Sequence, residues 1–323
     1  MTSPAPTPTT TVAQAVLALQ RGGLVAFPTE TVYGLGADAA DEGAVAEVFR
    51  LKGRPATHPV IVHLGSVDLL EAWAAEPPAG AYRLAERFWP GPLTLIVRRR
   101  EGVSDAVTGG QETVGLRVPG HPLALELLRA FGGGVAAPSA NRFGRVSPTR
   151  AAHVRAEFGD AVPVLDGGPC GIGLESTILD LSGGVPRLLR PGAVTEADLE
   201  GVLGVPVAAR DERAPRASGT LARHYAPDTT TLLVADAVPV SLEADAVLSR
   251  RDEPEGARAA RWLTLPDDPA VYSQRLYAAL RDLDALCCSR IYIELVPETP
   301  AWAAVRDRLR RAAAPADVEL RYG

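Results

Sequence analysis

Apolar positions along the chain change period repeatedly, and each change outlines an element. Residues 12 to 21 (VAQAVLALQR) follow the helical period and stop at Gly22-Gly23. Residues 24 to 28 form a short apolar run that predicts a buried strand. Asp41 suits an N-cap, with a helix running to Lys52 and Gly53 as its stop. PVIVHL (59 to 64), LTLIV (93 to 97) and TVGLRVP (113 to 119) predict strands, and two helices are expected from Ser66 and from about Ala79. HPLALELLRAF predicts a helix closed by Gly132-Gly133-Gly134, and VAAPSAN a strand that breaks into a loop. Residues 149 to 158 predict a helix, with Thr149 as its expected N-cap. VPVLD, STILDL and RLLRPG follow as short strands, and Thr195 with Asp198 predicts a capping box for one more short helix.

Strands that interleave with helices predict an α/β domain with a mixed sheet over residues 12–205. Residues 206–228 (PVAARDERAPRASGTLARHYAPD) carry charge, proline and alanine with no clear period, which predicts a linker. Beyond it, TLLVAD, DAVLSR, RWLTLP and SRIYIELV alternate with helices near 268–286 and 299–313. That pattern predicts a second, smaller Rossmann-like α/β domain over 229–323. Residues 1–11 (MTSPAPTPTTT) are expected to be a disordered tail. They lack the basic and apolar segments of a signal peptide, and no apolar run approaches a membrane span, so a cytoplasmic location is expected.

Composition sharpens this picture at a few points. The net charge of −6 and the 5% aromatic content count against a surface built to coat nucleic acid, while leaving room for one basic cleft. Cys170, Cys287 and Cys288 form no CxxC pattern, so neither a zinc site nor a disulfide framework is expected. The adjacent pair is expected as buried packing at a helix end. Lys52 is the single lysine among 33 basic residues, and Asn141 is the single asparagine. A GC-rich codon bias would remove both residue types. The two that survive mark positions where an arginine fork or an aspartate would not serve.

Both survivors fall among polar residues at strand ends. Strand one delivers Thr29, Glu30, Thr31 and Tyr33, followed by Gly34 and Gly36. RLKGRPATHP carries Lys52, Arg54 and His58, and the next strand carries His63. TVGLRVPGHP carries Thr113 and Arg117. APSANRFGRVSPT carries Ser139, Asn141, Arg145 and Ser147, GLESTILDL carries Glu175 and Ser176, and LLRPG adds Arg190. Lysine and arginine two apart, beside glycine and proline, make a rigid hook for phosphate. An arginine ending an apolar strand must face a cleft or an acid.

Taken singly, each feature has a plainer explanation. KGRP fits a solvated loop, Thr29 and Thr31 fit ordinary strand positions, and the GLG glycines fit a tight turn. His121 and His153 are expected to be packed or surface residues, and Arg98 to Arg100 a solvated strand end. All of them in one domain is harder to dismiss. With no GxxxxGK[ST], no nucleophile elbow and no metal-ligand spacing, a nucleotide would have to bind by another design.

FPTETVYGLGADA, KGRP...HPVIVHL, WPGPLTLIV, VGLRVPGHP, APSANRFGRVSPT, GLESTILDL and LLRPGAV, in this order, resemble the YrdC-type threonylcarbamoyl-AMP synthases. The resemblance covers residues 12–205, and ASGTLARHYAP (217 to 227) resembles the linker of the long, two-domain form. It implies a YrdC-like twisted open mixed sheet with a concave basic cavity. It also implies a reaction in which L-threonine, bicarbonate (or CO2) and ATP, with Mg2+, give threonylcarbamoyl-AMP and pyrophosphate. Separate tRNA threonylcarbamoyl-transfer proteins then use the product on the adenosine beside the anticodon, in tRNAs reading codons that begin with A.

Carried onto matching positions, the resemblance implies catalytic roles for Lys52, Arg54, Ser139 and Asn141. It implies threonine contacts at Thr31, His63, Arg117, Ala137 and Ser176. ATP contacts are implied at Lys52, Arg54, His58, Thr113, Ser139, Asn141, Ser147, Arg190, His224 and Tyr225. The metal's own ligands are unassigned. Two departures stand out: His58 replaces the family's usual asparagine before Pro59, and the linker lacks a proline before Gly219. TETVYGLG is expected to hold threonine, its glycines letting backbone come close, and the linker is expected to gate the site. The rival reading is an RNA-binding or ribosome-assembly protein using the same cleft, which would bind RNA in a salt-dependent way without ATP turnover.

Overall fold

The computed structural model describes residues 10–235 and 242–314. Nine strands form the first sheet: β1 Val25–Phe27, β2 Gly34–Asp38, β3 Ile61–His63, β4 Leu93–Arg98, β5 Thr113–Arg117, β6 Val135–Ala136, β7 Thr177–Asp180, β8 Arg187–Arg190 and β9 Ala208–Ala209. Their order is β1-β2-β6-β3-β5-β4-β7-β8-β9, with parallel and antiparallel pairs mixed. The central strands are buried on both faces, which is why LTLIV is continuously apolar rather than alternating. The helices cover them, and one core around Leu64, Leu93, Leu95 and Leu116 runs through the middle.

The second sheet is wholly parallel. It contains β10 Thr231–Val234, β11 Leu242–Ser249, β12 Ala259–Thr264 and β13 Ile291–Glu294, in the order β10-β13-β11-β12. Helices Pro269–Asp284 and Ala303–Ala312 pack with it. Its core does not stop at the domain edge, because Val32, Val146 and Leu174 of the first domain and Tyr225 of the linker join it. Close docking also explains Gly173: a Cβ there would lie 2.6 Å from the Gln274 backbone.

Helix caps follow the chain's local chemistry. Asp41 accepts from the Gly43 and Ala44 N–H groups, and Gly53 closes that helix in the left-handed conformation. Thr195 and Asp198 form the expected capping box.

Several expectations need correction. Residues 1–9 of the expected tail lie outside the described residues. Thr10 and Thr11 are ordered: the Thr10 N–H donates to Val164 O, and Thr11 caps the first helix. GLG is strand rather than turn; Gly34 lines the cleft, while Gly36 makes room for protein. A Cβ on Gly36 would lie 2.8 Å from the Phe27 ring and 2.9 Å from Val135. VPVLD forms no named strand, only a single bridge from Val164 to Ala26. The 151–158 helix is capped at Arg150 with no side-chain bond, while the Thr149 N–H donates to His153 Nδ1. The cysteine pair lies beyond the helix end at Asp284 and is split: Cys287 is exposed, while Cys288 is half-buried against the second domain's core. Ala208 and Ala209 leave the linker to pair with β8.

Candidate active site

The site forms at one end of the first sheet. β3 and β5 are parallel, and their last residues, His63 and Arg117, are direct register partners. β4 runs antiparallel to β5, so the same end also holds the start of β4 and of its parallel neighbour β7, where Ser176 sits. β8 returns antiparallel to β7 and brings Arg190 opposite Ile178. The turn after β1 adds Thr29 and Thr31, and the loop after β6 adds Ala137 and Ser139. Arg54 and the linker residues His224 and Tyr225 close the cleft.

The hydroxyl wall is pre-set. The Thr29 hydroxyl donates to Val32 O at 2.6 Å, accepts from the Thr31 and Val32 N–H groups, and lies 2.8 Å from the Thr31 hydroxyl. Ser176 Oγ lies 2.8 Å from Thr94 Oγ1 and accepts from Arg190 Nη2 at 3.1 Å. Arg117 Nε donates to Gly91 O, and its Nη2 pairs with Glu30 Oε1 at 2.7 Å, off hydrogen-bond alignment. Burial, reinforced by the Arg117 charge, pushes His63 down to about 3, so its imidazole is neutral at ordinary pH.

The cations on the opposite side are less compensated. Among the described residues, Lys52, Arg54 and Arg190 are buried and no carboxylate reaches ion-pair distance of any of them. Arg54 donates to Pro59 O at 2.8 Å and to Ser218 Oγ at 3.3 Å, and Arg190 donates to Ser176 O and Ser218 O. Burial pushes Arg54 down to about 10, which leaves it charged at neutral pH. Lys52 Nζ donates to the carbonyls of Ser139 and Asn141, and burial with the nearby Arg54 charge pushes its ammonium well below its ordinary range. An isolated buried cation is unfavourable. Two of the three, Arg54 and Arg190, line one cleft, and such a pair favours an anionic partner.

Some expected site residues stand back from this cleft. Lys52 faces a side groove with Arg142, Phe143 and Arg145. Asn141 is buried beneath the loop, its Nδ2 donating to Arg142 O and Arg145 O and its Oδ1 unpaired. Ser147 donates to Glu175 at 2.6 Å. His58 is half-buried, edge-on to Phe143 at 5.4 Å, and desolvation pushes it down to about 4. Thr113 starts β5 and is partly exposed.

The linker is seated as a cover. Ser218 is gripped by Arg54 and Arg190, and Arg145 pairs with Asp228 at the other end. Between them His224 is buried with its ring 4.1 Å from that of Tyr225, and burial holds it well below the usual histidine range. Sequence reasoning missed Ser218 and Gly219 as lining residues, and missed Tyr277 and Arg308 of the second domain. ASGT lay in plain view beside the HYAP motif. The other two are ordinary residue types on ordinary helices, and no signal in the chain singles them out.

Magnesium would accompany a triphosphate. Among the described residues, no group of three or more His, Cys, Asp or Glu side chains could hold a metal ion. The described residues therefore offer no cage of their own for such an ion. No described helix is long and apolar enough to cross a membrane.

Fold and site together define an α/β protein whose first sheet ends in a covered cleft lined by hydroxyls and by Arg54, Arg117 and Arg190. The Sua5/YciO/YrdC family model, described as telomere recombination, matches residues 17–192, and the model described as threonylcarbamoyl-AMP synthase, C-terminal domain, matches residues 194–314. The chain belongs to this family. It is 41% identical over 313 residues to the threonylcarbamoyl-AMP synthase of Pyrococcus abyssi, covering 91% of each chain. A shorter relative of the same name, from Chromohalobacter salexigens, is 44% identical, with 94% of its length but only 54% of this chain covered. The crystal structure of P. abyssi Sua5 complexed with L-threonine superposes with a TM-score of 0.86 at 37% identity, covering 94% of both chains.

Proposed function

We propose that this chain makes L-threonylcarbamoyl-AMP and pyrophosphate from L-threonine, bicarbonate or CO2, and ATP. The observation that carries the proposal is the pair of buried cations without a carboxylate at ion-pair distance among the described residues, Arg54 and Arg190, lining one cleft with the hydroxyl wall and Arg117, with Lys52 seated behind the Ser139 loop. The threonine carboxylate would take the free N–H groups of Arg117, with its hydroxyl end against Thr31, His63, Ala137 and Ser176. The triphosphate would take the cations together with Ser139, and the nucleoside would lie under His224 and Tyr225.

The threonine amine adds to CO2 and loses a proton, giving a carbamate. A carbamate oxygen then attacks the α-phosphorus, and the bond to the bridging oxygen breaks as pyrophosphate leaves. No side chain need form a covalent bond. The chain contributes by holding the partners in line and by placing fixed positive charge where pyrophosphate develops. Magnesium bound to the ATP phosphates would supply further charge neutralisation. The mixed anhydride is open to hydrolysis, and a closed linker would shield it from water. The product would pass to the tRNA threonylcarbamoyl-transfer proteins in the cytoplasm.

Incubation of the purified chain with ATP, Mg2+, L-threonine and 13C-bicarbonate tests this. Mass spectrometry is expected to find labelled threonylcarbamoyl-AMP. Formation of AMP or ADP alone, with no labelled adduct, would contradict the proposal.

A further inference from the structure

Arg308 belongs to the last described helix, Ala303–Ala312, yet its guanidinium is fully buried against the first domain's site. Nε donates to Glu175 Oε2 at 2.8 Å, Nη1 to Asp307 Oδ2 at 2.6 Å and Nη2 to Pro191 O at 3.1 Å. Its flat face lies 5.2 Å from the centre of the Tyr225 ring. These partners belong to different parts of the molecule. Glu175 lines the cleft, Pro191 follows the cleft residue Arg190, and Tyr225 is in the linker.

The neighbours on the same helix point the same way. Asp307 also holds Arg311 at 2.8 Å; Arg311 donates from its guanidinium to Leu221 O, and its carbonyl accepts from the His224 N–H. Residues 307, 308 and 311 thus hold the linker at Leu221, His224 and Tyr225. Tyr225 sits at φ 60°, a left-handed conformation that a residue with a Cβ rarely adopts unless its surroundings impose it. The surroundings here are Arg308 on one face and the Tyr277 ring stacked at 5.7 Å. Glu175 completes the arrangement, accepting from Arg308, from Tyr277 Oη at 2.8 Å and from Ser147.

We propose that Arg308 is the positioning residue through which the second domain closes the site, fixing Glu175 on the cleft wall and Tyr225 in the cover above it. A buried guanidinium is tolerated only while its carboxylates and carbonyl stay in place, so the docked helix and the closed linker form one cooperative unit. Arg308 touches no reacting atom in this scheme. That the shorter Chromohalobacter relative covers only about half of this chain fits a positioning role for the added domain. The identity of the nucleotide rests on the synthase reading; the latch itself does not.

Hydrogen exchange across residues 217–227 in the full-length protein, without added nucleotide, tests the latch directly. Arg308→Met is expected to raise exchange there and to weaken ATP binding by about tenfold, the scale of one lost charge-assisted contact. Threonine affinity is expected to change by no more than about twofold, since Arg308 lies on the cover side. Arg308→Lys, which keeps charge but not the fork, is expected to fall between. Because Arg308→Met strands the Glu175 charge, the double variant Arg308→Met/Glu175→Gln removes both charges and keeps the test valid if the single variant unfolds. Wild-type exchange and ATP affinity in either folded variant would overturn the proposal. Equal loss of threonine and ATP binding would overturn it too, as the mark of a general folding role. A wild-type protein that makes no threonylcarbamoyl-AMP would overturn the synthase reading alone, because linker exchange would still report on Arg308.

Discussion

Arg117 Nη2 lies 2.7 Å from Glu30 Oε1, with the arginine side chain only 4% exposed. The strand-end arginine expected to meet a substrate carboxylate is thus already held by a protein carboxylate. Glu30 sets the angle of the guanidinium, and Gly91 O fixes its Nε. Arg117→Lys, which keeps the charge but loses the fork, is expected to raise KM for threonine by roughly tenfold to a hundredfold while leaving KM for ATP nearly unchanged. Glu30→Gln leaves a buried cation unpaired and is expected to lower stability by about 3–5 kcal/mol, read as a fall in the denaturant midpoint.

Lys52 offers a sharper case, because its Nζ fits between the carbonyls of Ser139 and Asn141. An arginine fork is too wide for that seat. Lys52→Arg is expected to reduce kcat/KM by on the order of a hundredfold, the size of a lost preorganised charge, although every other basic residue in the chain is arginine. Near-normal kinetics in that variant would show that codon bias spared the lysine by accident.

Gly219 holds the linker at φ 74°, and a Cβ there would lie 2.0 Å from Tyr225 Oη and 2.9 Å from Arg190 Nη1. Gly219→Ala is expected to push the tyrosine from its seat and raise KM for ATP several-fold. Steady-state kinetics with ATP varied at saturating threonine would measure it.

His63 contributes to acid sensitivity, together with His58, His153 and His224, which burial also pushes down. Its pKa is pushed down to about 3 by burial and by Arg117, against an ordinary value of 6.5. Below 6.5 the unfolded chain takes up a proton that the folded chain refuses. The stabilisation is therefore complete above pH 6.5 and falls as the pH drops from 6.5 towards 3, by up to about 1.4 kcal/mol per unit. His63→Gln is expected to lessen the measured slope between pH 6 and pH 4 in urea titrations by up to one proton's share, about 1.4 kcal/mol per unit, with the other buried histidines keeping the rest.

Much of the first domain was legible because its elements agree at several levels. The 42–52 helix has its cap, its stop and its apolar face in register, and LTLIV has no other home than the middle of a sheet. β2 was hidden because glycine disfavours strands. Only the Phe27 ring across the hairpin shows why two glycines belong there. The cleft wall was legible from polar residues at apolar strand ends. The cover's support was not, because Arg308 is one arginine of many on an amphipathic helix and meets Glu175 across 133 residues of chain. Long-range pairing of common residue types leaves no local trace.

Pyrophosphate release by the purified protein with ATP and Mg2+, with and without L-threonine and bicarbonate, tests the central claim most directly. The account predicts release that requires both co-substrates and is abolished in Lys52→Ala. Release without threonine, or none from a folded protein under any combination, would contradict it.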